Sequence, residues 1–309
     1  MPPCHRAADV GRIRGTRRHR ASTESAPAPS PISAPITSLP STVHKHHVLS
    51  SFLSSLLGGG GGGDGEPAAT VKSILIYPIK SCRGIAVSQA PITATGFRWD
   101  RRRLVVNAKG RAYTQRVEPK LALVQVELPP EAFTEDWQPT ADDHMAETRP
   151  TDPDYAQGYK IMFTDCFPFL IASQGSLDAL NEILKEPVPM NHFRPNILVD
   201  GCQPYSEDLW KTIKINNLTF QGVKLCNRCK VPTIDQDNGI SGTEPTETLL
   251  TFGSDEVLRP SHKNKRQVYF GQNLVCKESL SGNSKGKIIK VGDPVYVLQA
   301  FTSSNEAPA

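Results

Sequence analysis

The chain has 309 residues, 38% of them hydrophobic, with seven cysteines and a net charge of +4. That length holds one large domain or two modest ones, and the basic excess sits mostly in the first twenty residues. The near-neutral remainder excludes a general nucleic-acid or membrane electrostatic surface. The cysteines lack paired framework spacing and suit a reducing interior, and there is no apolar run of the ~18 residues that a membrane helix needs.

Residues 1–70 read as a disordered, transit-like tail and linker. Arg6, Arg12, Arg14, Arg17, Arg18 and Arg20 face one acid, Asp9, and serine, proline and alanine dominate from Ser22 to Ser41. An organelle transit peptide has this composition, and so does a basic tail with no address. Val48 to Leu57 is too short to cross a bilayer but fits an interfacial helix and peripheral membrane association. Gly58 to Gly63 is a flexible linker.

Val71 to Tyr77 alternates and is β-branched, which predicts a strand. It leads into the turn Pro78 to Gly84, which carries Lys80, Ser81 and Arg83 and can present them to an anion. Further strands are expected at Ile85 to Ile92, Leu104 to Asn107, Tyr113 to Gln115 and Leu121 to Leu128, with a hairpin turn at Lys109-Gly110. Residues 129–160 have no period and read as loop, an uncommon length for an irregular connection inside a compact domain.

Short strands return at Lys160 to Phe163 and Phe169 to Ala172, followed by a helix with Ser173 as N-cap. Arg194, held before Pro195, suits a fixed phosphate contact. It precedes a strand that ends at Gly201. Thr212 to Leu225 describes two more strands, Glu244 to Thr248 opens a short helix, and Tyr269 starts another strand. A final strand pair around Gly292-Asp293 closes the chain. Many short strands and few helices make a β-rich α+β barrel or sandwich.

The stretch Lys224 to Gly239, KLCNRCKVPTIDQDNG, carries the chemistry. Arg228 and Lys230 are expected to lower the pKa of a neighbouring thiol, and the thiolate binds a soft metal or acts as a nucleophile. Structural zinc, a thioredoxin-like pair and two plain structural cysteines are the alternatives. The absence of a second CxxC, with His192 and His262 standing alone, counts against zinc. The β-leaning VPTI after the motif counts against a thioredoxin helix.

YPIKSC from Tyr77, Asp100-Arg101, HFRPN from His192, CNRC with TIDQDNG, FGQN from Phe270 and KVGDPVYVL from Lys290 occur together in this order. The chain thereby resembles the MOSC-domain proteins, in particular the amidoxime-reducing branch, over roughly residues 71–299. The resemblance implies a MOSC β-barrel domain at 159–300, preceded by a truncated N-terminal β-barrel subdomain at 71–135 and a loop at 136–158. There the chain lacks several dozen residues that family members carry.

The resemblance further implies a molybdenum cofactor, a pterin dithiolene with a phosphate. Cys229 would be the molybdenum ligand, and Asp235 a catalytic, proton-handling group near the metal. Lys80, Ser81, Arg101, Arg194, Asn196, Asn227 and Arg228 would hold the cofactor, with Cys226 structural or supporting the ligand. The implied reaction is two-electron reduction of N-hydroxylated substrates such as amidoximes. Electrons would come from NADH through cytochrome b5 reductase and cytochrome b5, since the chain has no dinucleotide fingerprint of its own. The implied location is the mitochondrion, with plastid or cytosol as alternatives. The alternative function is a non-catalytic carrier of sulfur or cofactor, or an inactive truncated isoform.

Overall fold

The computed structural model describes residues 65–137, 148–260, 266–281 and 286–309. Residues 1–64 of the expected tail and linker, and the middle of the expected loop at 136–158, lie outside the described residues.

Seven strands close into a barrel: β1 (Ala69–Ile76), β7 (Phe169–Ser173), β8 (Ile197–Asp200), β9 (Trp210–Ile215), β10 (Leu218–Asn227), β11 (Tyr269–Cys276) and β13 (Pro294–Ala300). Their order is β13-β9-β10-β11-β7-β8-β1, and β1 pairs back to β13. Neighbours are antiparallel except β7 and β8, which run parallel in the register Ile171↔Ile197. A parallel pair needs a crossover, and the helix at Gln174–Asn181 supplies it. Ser173 caps that helix as expected, its hydroxyl accepting from Ser176 N at 3.0 Å.

β1 has two partners on one edge. Ala69 and Thr70 pair with β13, while Ile74 to Ile76 pair with β2 (Ile85–Val87). The first strand of the 71–135 segment is therefore a stave of the main barrel. Two later strands of that segment, β3 (Gln89–Thr93) and β4 (Gly96–Phe97), form a three-stranded sheet with β12 (Ile288–Lys290), β3 lying between the other two. The strand expected at Ile85 to Ile92 breaks at Ser88 because the chain changes sheet there.

Three further expectations fall short of strands. Leu104 to Asn107 and Tyr113 to Gln115 meet around the Lys109-Gly110 turn, Asn107 N donating to Arg111 O at 2.9 Å and Tyr113 N to Val105 O at 2.8 Å, but their pairing amounts to the isolated bridge Val106↔Ala112. Leu121 to Leu128 begins inside a 3-10 helix, Pro119–Leu123, with Pro119 in its first turn and the Glu118 carboxylate accepting from Lys120 N. It then continues as unpaired chain. Alternation makes a strand only where another edge can take its hydrogen bonds. The closing strands also do not pair with each other: β12 joins β3, and β13 joins β9 and β1.

The core is filled by alternate residues of the barrel strands, including Val71, Ile74, Ile76, Ile213, Phe220 and Leu274. Phe169 meets both Phe97 and Phe220 edge-on, at 4.9 and 5.5 Å between ring centres. Full burial of one such ring contributes about 1.5–3 kcal/mol. Gly271, the glycine of FGQN, has φ +75°, and a Cβ there would lie 2.5 Å from Ile171 O. No larger residue fits between β11 and β7. Among the described residues no helix is long and apolar enough to cross a membrane.

Candidate functional site

Three segments converge: the turn leaving β1, the approach to β8 and the loop leaving β10. Tyr77, buried at the end of β1, is the hub. Its backbone N–H donates to Asp100 Oδ1 at 2.9 Å and its hydroxyl to Pro195 O at 3.1 Å. The guanidinium carbons of Arg101 and Arg194 lie 4.5 and 4.3 Å from its ring centre. Burial pushes the Tyr77 hydroxyl up to about 12, against the pull of both arginines, so at neutral pH it stays a donor.

Arg101 donates to Asp100 Oδ2 at 2.5 Å, to Asn196 Oδ1 at 3.3 Å and to Arg194 O at 3.4 Å. Burial works against its charge, but Asp100, Tyr77 and Asp165 together hold the guanidinium above its ordinary pKa. Arg194 differs. It donates to Cys82 O at 2.7 Å and Gln236 Oε1 at 3.4 Å, and among the described residues it has no carboxylate partner. Burial lowers it to about 10, and Arg101 adds to the effect. A buried cation in this state is stabilised by a bound anion.

Lys80 donates to Phe163 O at 2.8 Å and pairs with Asp165. Neighbouring chain crowds the Asp165 carboxyl and pushes it up, though the side chain itself is mostly exposed, and Lys80, Arg116 and Arg101 together hold it below the usual carboxylate range. Arg83 donates to Gln236 O at 2.7 Å and pairs with Asp237 at 2.6 Å. Beneath them Gln115 and Gln236 exchange amide hydrogen bonds at 2.9 and 3.1 Å, and Gln115 also donates to Ser81 O at 2.9 Å. Ser81, Arg101 and Arg194 all have φ in the left-handed region, at +69°, +47° and +54°. Non-glycine residues rarely adopt that region, and such strain gathers where surrounding structure forces it, functional sites included.

β10 delivers the cysteines. Asn227 is its last residue, paired with Tyr269, and is exposed. Arg228 is anchored through its N–H to Val268 O at 2.8 Å and through its side chain to Phe193 O at 2.7 Å and Cys226 Sγ at 2.9 Å. Cys229 follows, exposed, its thiol in no disulfide. The expected lowering of the neighbouring thiol does not hold for Cys226: burial pushes it up and Arg228 offsets only part of this. Cys226 lies within electrostatic reach of both Cys229 and Asp165, which joins the cysteine loop to the Lys80 turn.

The remaining expected site residues are bound into the framework. The Asp235 carboxylate is turned onto its own loop, accepting from Asp237 N at 2.7 Å and from the Asn238 amide at 2.5 Å. Asn196 is buried, accepting from Leu170 N and Arg101 and donating to Leu75 O at 3.2 Å. His192 Nδ1 lies 2.8 Å from Pro232 O and so braces the cysteine loop. Tyr77, Gln115, Asp165 and Gln236 were not singled out from the sequence. Tyr77 opens YPIKSC and Gln236 lies inside TIDQDNG, so those motifs could have pointed to them, whereas nothing in the local pattern of Gln115 or Asp165 marks them.

The site suits a ligand with an anionic group and a metal that takes one protein thiolate. Among the described residues Arg194 offers buried charge without a carboxylate hydrogen-bonded to it, and Arg83 Nε and Arg228 Nε have no hydrogen-bond partner. Cys229 supplies an open thiol. Among the described residues no group of three or more His, Cys, Asp or Glu side chains could hold a bare metal ion.

Comparison with known proteins defines the class. The MOSC domain matches residues 158–296, and the MOSC N-terminal beta barrel domain matches residues 68–156. The chain belongs to the MOSC-domain family. It is similar to mitochondrial amidoxime-reducing component 1 of Mus musculus, 31% identical over 291 positions that take in 75% of this chain and 83% of that protein. The Homo sapiens counterpart is likewise 31% identical over 296 positions, covering 75% and 84%. Molybdenum cofactor sulfurase of Oryza sativa subsp. japonica is 26% identical over 301 positions, covering 73% of this chain and 35% of that protein. Since 291 positions exceed three quarters of a 309-residue chain, the mouse relative carries residues inside the matched region that have no counterpart here.

Proposed function

We propose that this chain is a molybdenum-cofactor-dependent oxidoreductase that reduces N-hydroxylated compounds, amidoximes among them. The observation that carries the reading is the junction of the exposed Cys229 loop with a buried arginine, Arg194, that has no carboxylate partner among the described residues. The names of the relatives support the reaction class.

In this reading Cys229 is the metal ligand, and Lys80, Ser81, Arg101, Arg194, Asn227 and Arg228 surround the pterin and its phosphate. Asn196 acts by fixing Arg101. When bound, the cofactor supplies a metal centre that delivers two electrons to the N–O bond. Two protons complete the reaction, and the oxygen leaves as water. The chain's own part is positional. Arg228 and His192 hold the cysteine loop, Asp235 closes the turn behind it, and the cations keep the anionic group in register. Electrons would come from NADH through cytochrome b5 reductase and cytochrome b5, in the mitochondrion that the names of the relatives specify.

The test is metal analysis of the full chain made in a host that produces the cofactor, beside Cys229→Ala, followed by amidoxime reduction with cytochrome b5 and its reductase. Near-stoichiometric molybdenum that depends on Cys229, together with turnover, supports the reading. Molybdenum without turnover favours a cofactor carrier, for which the similarity to a molybdenum cofactor sulfurase speaks. Folded protein without molybdenum refutes both.

A further inference from the structure

Two ion pairs at the site are built unequally. In each, the cation is the more enclosed member and the carboxylate stands in solvent: Lys80 is 18% exposed against 70% for Asp165, and Arg83 35% against 69% for Asp237. Both cations are also tied to backbone carbonyls, Lys80 to Phe163 O and Arg83 to Gln236 O. The two carboxylates are not held alike. Asp237 sits in a turn whose N–H is fixed on Asp235 Oδ1 at 2.7 Å. Asp165 lies in the bend between β6 (Lys160–Ile161) and β7, and among the described residues Lys80 is the one group its carboxylate bonds.

We propose that Asp165 is an exchangeable counter-ion that occupies the anion position at Lys80 until a phosphate-bearing ligand displaces it. This deepens the reading above and rests on it. Lys80 cannot leave, because its backbone N–H is fixed on Arg103 O and its ammonium on Phe163 O. Asp165 can leave at little cost, since its carboxylate is already largely hydrated and an exposed pair contributes little. An incoming phosphate can gain more than it displaces, because it carries more charge and more acceptor oxygens than one carboxylate. In the empty protein Asp165 thereby offsets repulsion among Lys80, Arg101 and Arg116. Weak polyanions of the cell must compete with it, so it sets a threshold for what binds.

The probe is inorganic pyrophosphate, titrated calorimetrically at fixed ionic strength into full-length protein purified from a host that makes no molybdopterin. Asp165→Asn is expected to bind it roughly two- to fivefold more tightly than wild type. Asp237→Asn, the same charge change on a fixed turn, is expected to have a smaller effect. The gain from Asp165→Asn should vanish in a Lys80→Met background, as a double-mutant cycle requires of a direct exchange. Thermal unfolding of each variant verifies folding, and Asp165→Ser replaces Asp165→Asn if that variant fails to fold. Unchanged or weaker binding by the Asp165 variants, with wild type binding normally, overturns the proposal. So does a gain that persists without Lys80. If neither wild type nor the Asp165 variants bind pyrophosphate, it is the anion-site reading itself that falls.

Discussion

Arg228 folds back along its own loop and donates a 2.9 Å hydrogen bond to Cys226 Sγ, two residues before it. Its second terminal nitrogen reaches Phe193 O at 2.7 Å, so one fork clamps the cysteine loop to the approach to β8. Lysine cannot make both bonds. Arg228→Lys is expected to cost about 1–2 kcal/mol in urea unfolding, from one lost hydrogen bond to a charged donor. It should also lower molybdenum content while Cys229 remains in place. Full retention of metal would show that the clamp is dispensable.

Among the described residues Arg194 forms no ion pair with a carboxylate, so its charge serves binding more than stability. Arg194→Met keeps the volume and removes the desolvation cost at the loss of the 2.7 Å bond to Cys82 O. The melting temperature is expected to move by a few degrees at most, whereas anion binding falls at least tenfold. A variant that unfolds but still binds would reverse this assignment.

The tail after β13 reaches β10 just ahead of the cysteines. Leu225 N donates to Pro308 O at 2.7 Å, and Ala307 is buried against Leu225 and Tyr269. β9 pairs with β10 only as far as Gln221, so the tail takes the open edge beyond it. Removing residues 302–309 is expected to speed amide exchange at Leu225 to Arg228 and alkylation of Cys229, with the barrel core unchanged. Equal rates with and without the tail would leave it no part in holding the loop.

Glu207 and Asp208 are adjacent carboxyls near the start of β9. Burial first, then the charge of Glu207, raises Asp208 well above its ordinary value, and its Oδ1 has no hydrogen-bond partner. A raised folded pKa means that the native state holds the proton longer than the unfolded chain. The resulting stability is full below the unfolded value near 4 and is lost as pH rises through the folded value. Asp208→Asn is therefore expected to match wild type near pH 4 and to exceed it at pH 7–8, by about 1.4 kcal/mol per unit of the shift. Parallel stability curves for the two proteins would show that Asp208 ionises freely in the fold.

Much of the site was legible because its motifs are local. Lys80 and Ser81 stand in one turn, Arg194 precedes a proline, and CNRC follows a strongly alternating strand. Chemistry encoded within four or five neighbours survives any error in long-range pairing. What local pattern misjudged were strands that depend on distant partners. Leu121 to Leu128 alternates like a strand, yet no edge lies beside it.

By itself the sequence determined a β-rich barrel, the cysteine loop and the cations gathered near it, because side-chain alternation and short motifs are written residue by residue. The tertiary structure alone decided that β1 closes the main barrel and that Tyr77 carries two arginines. It also decided that Arg194 has no carboxylate partner among the described residues while Lys80 holds Asp165. The reason is physical: each of these depends on which segments, up to 226 positions apart in the register of Ala69 with Val295, exclude water between them. Burial and pairing at that range belong to the folded chain and not to any stretch of it.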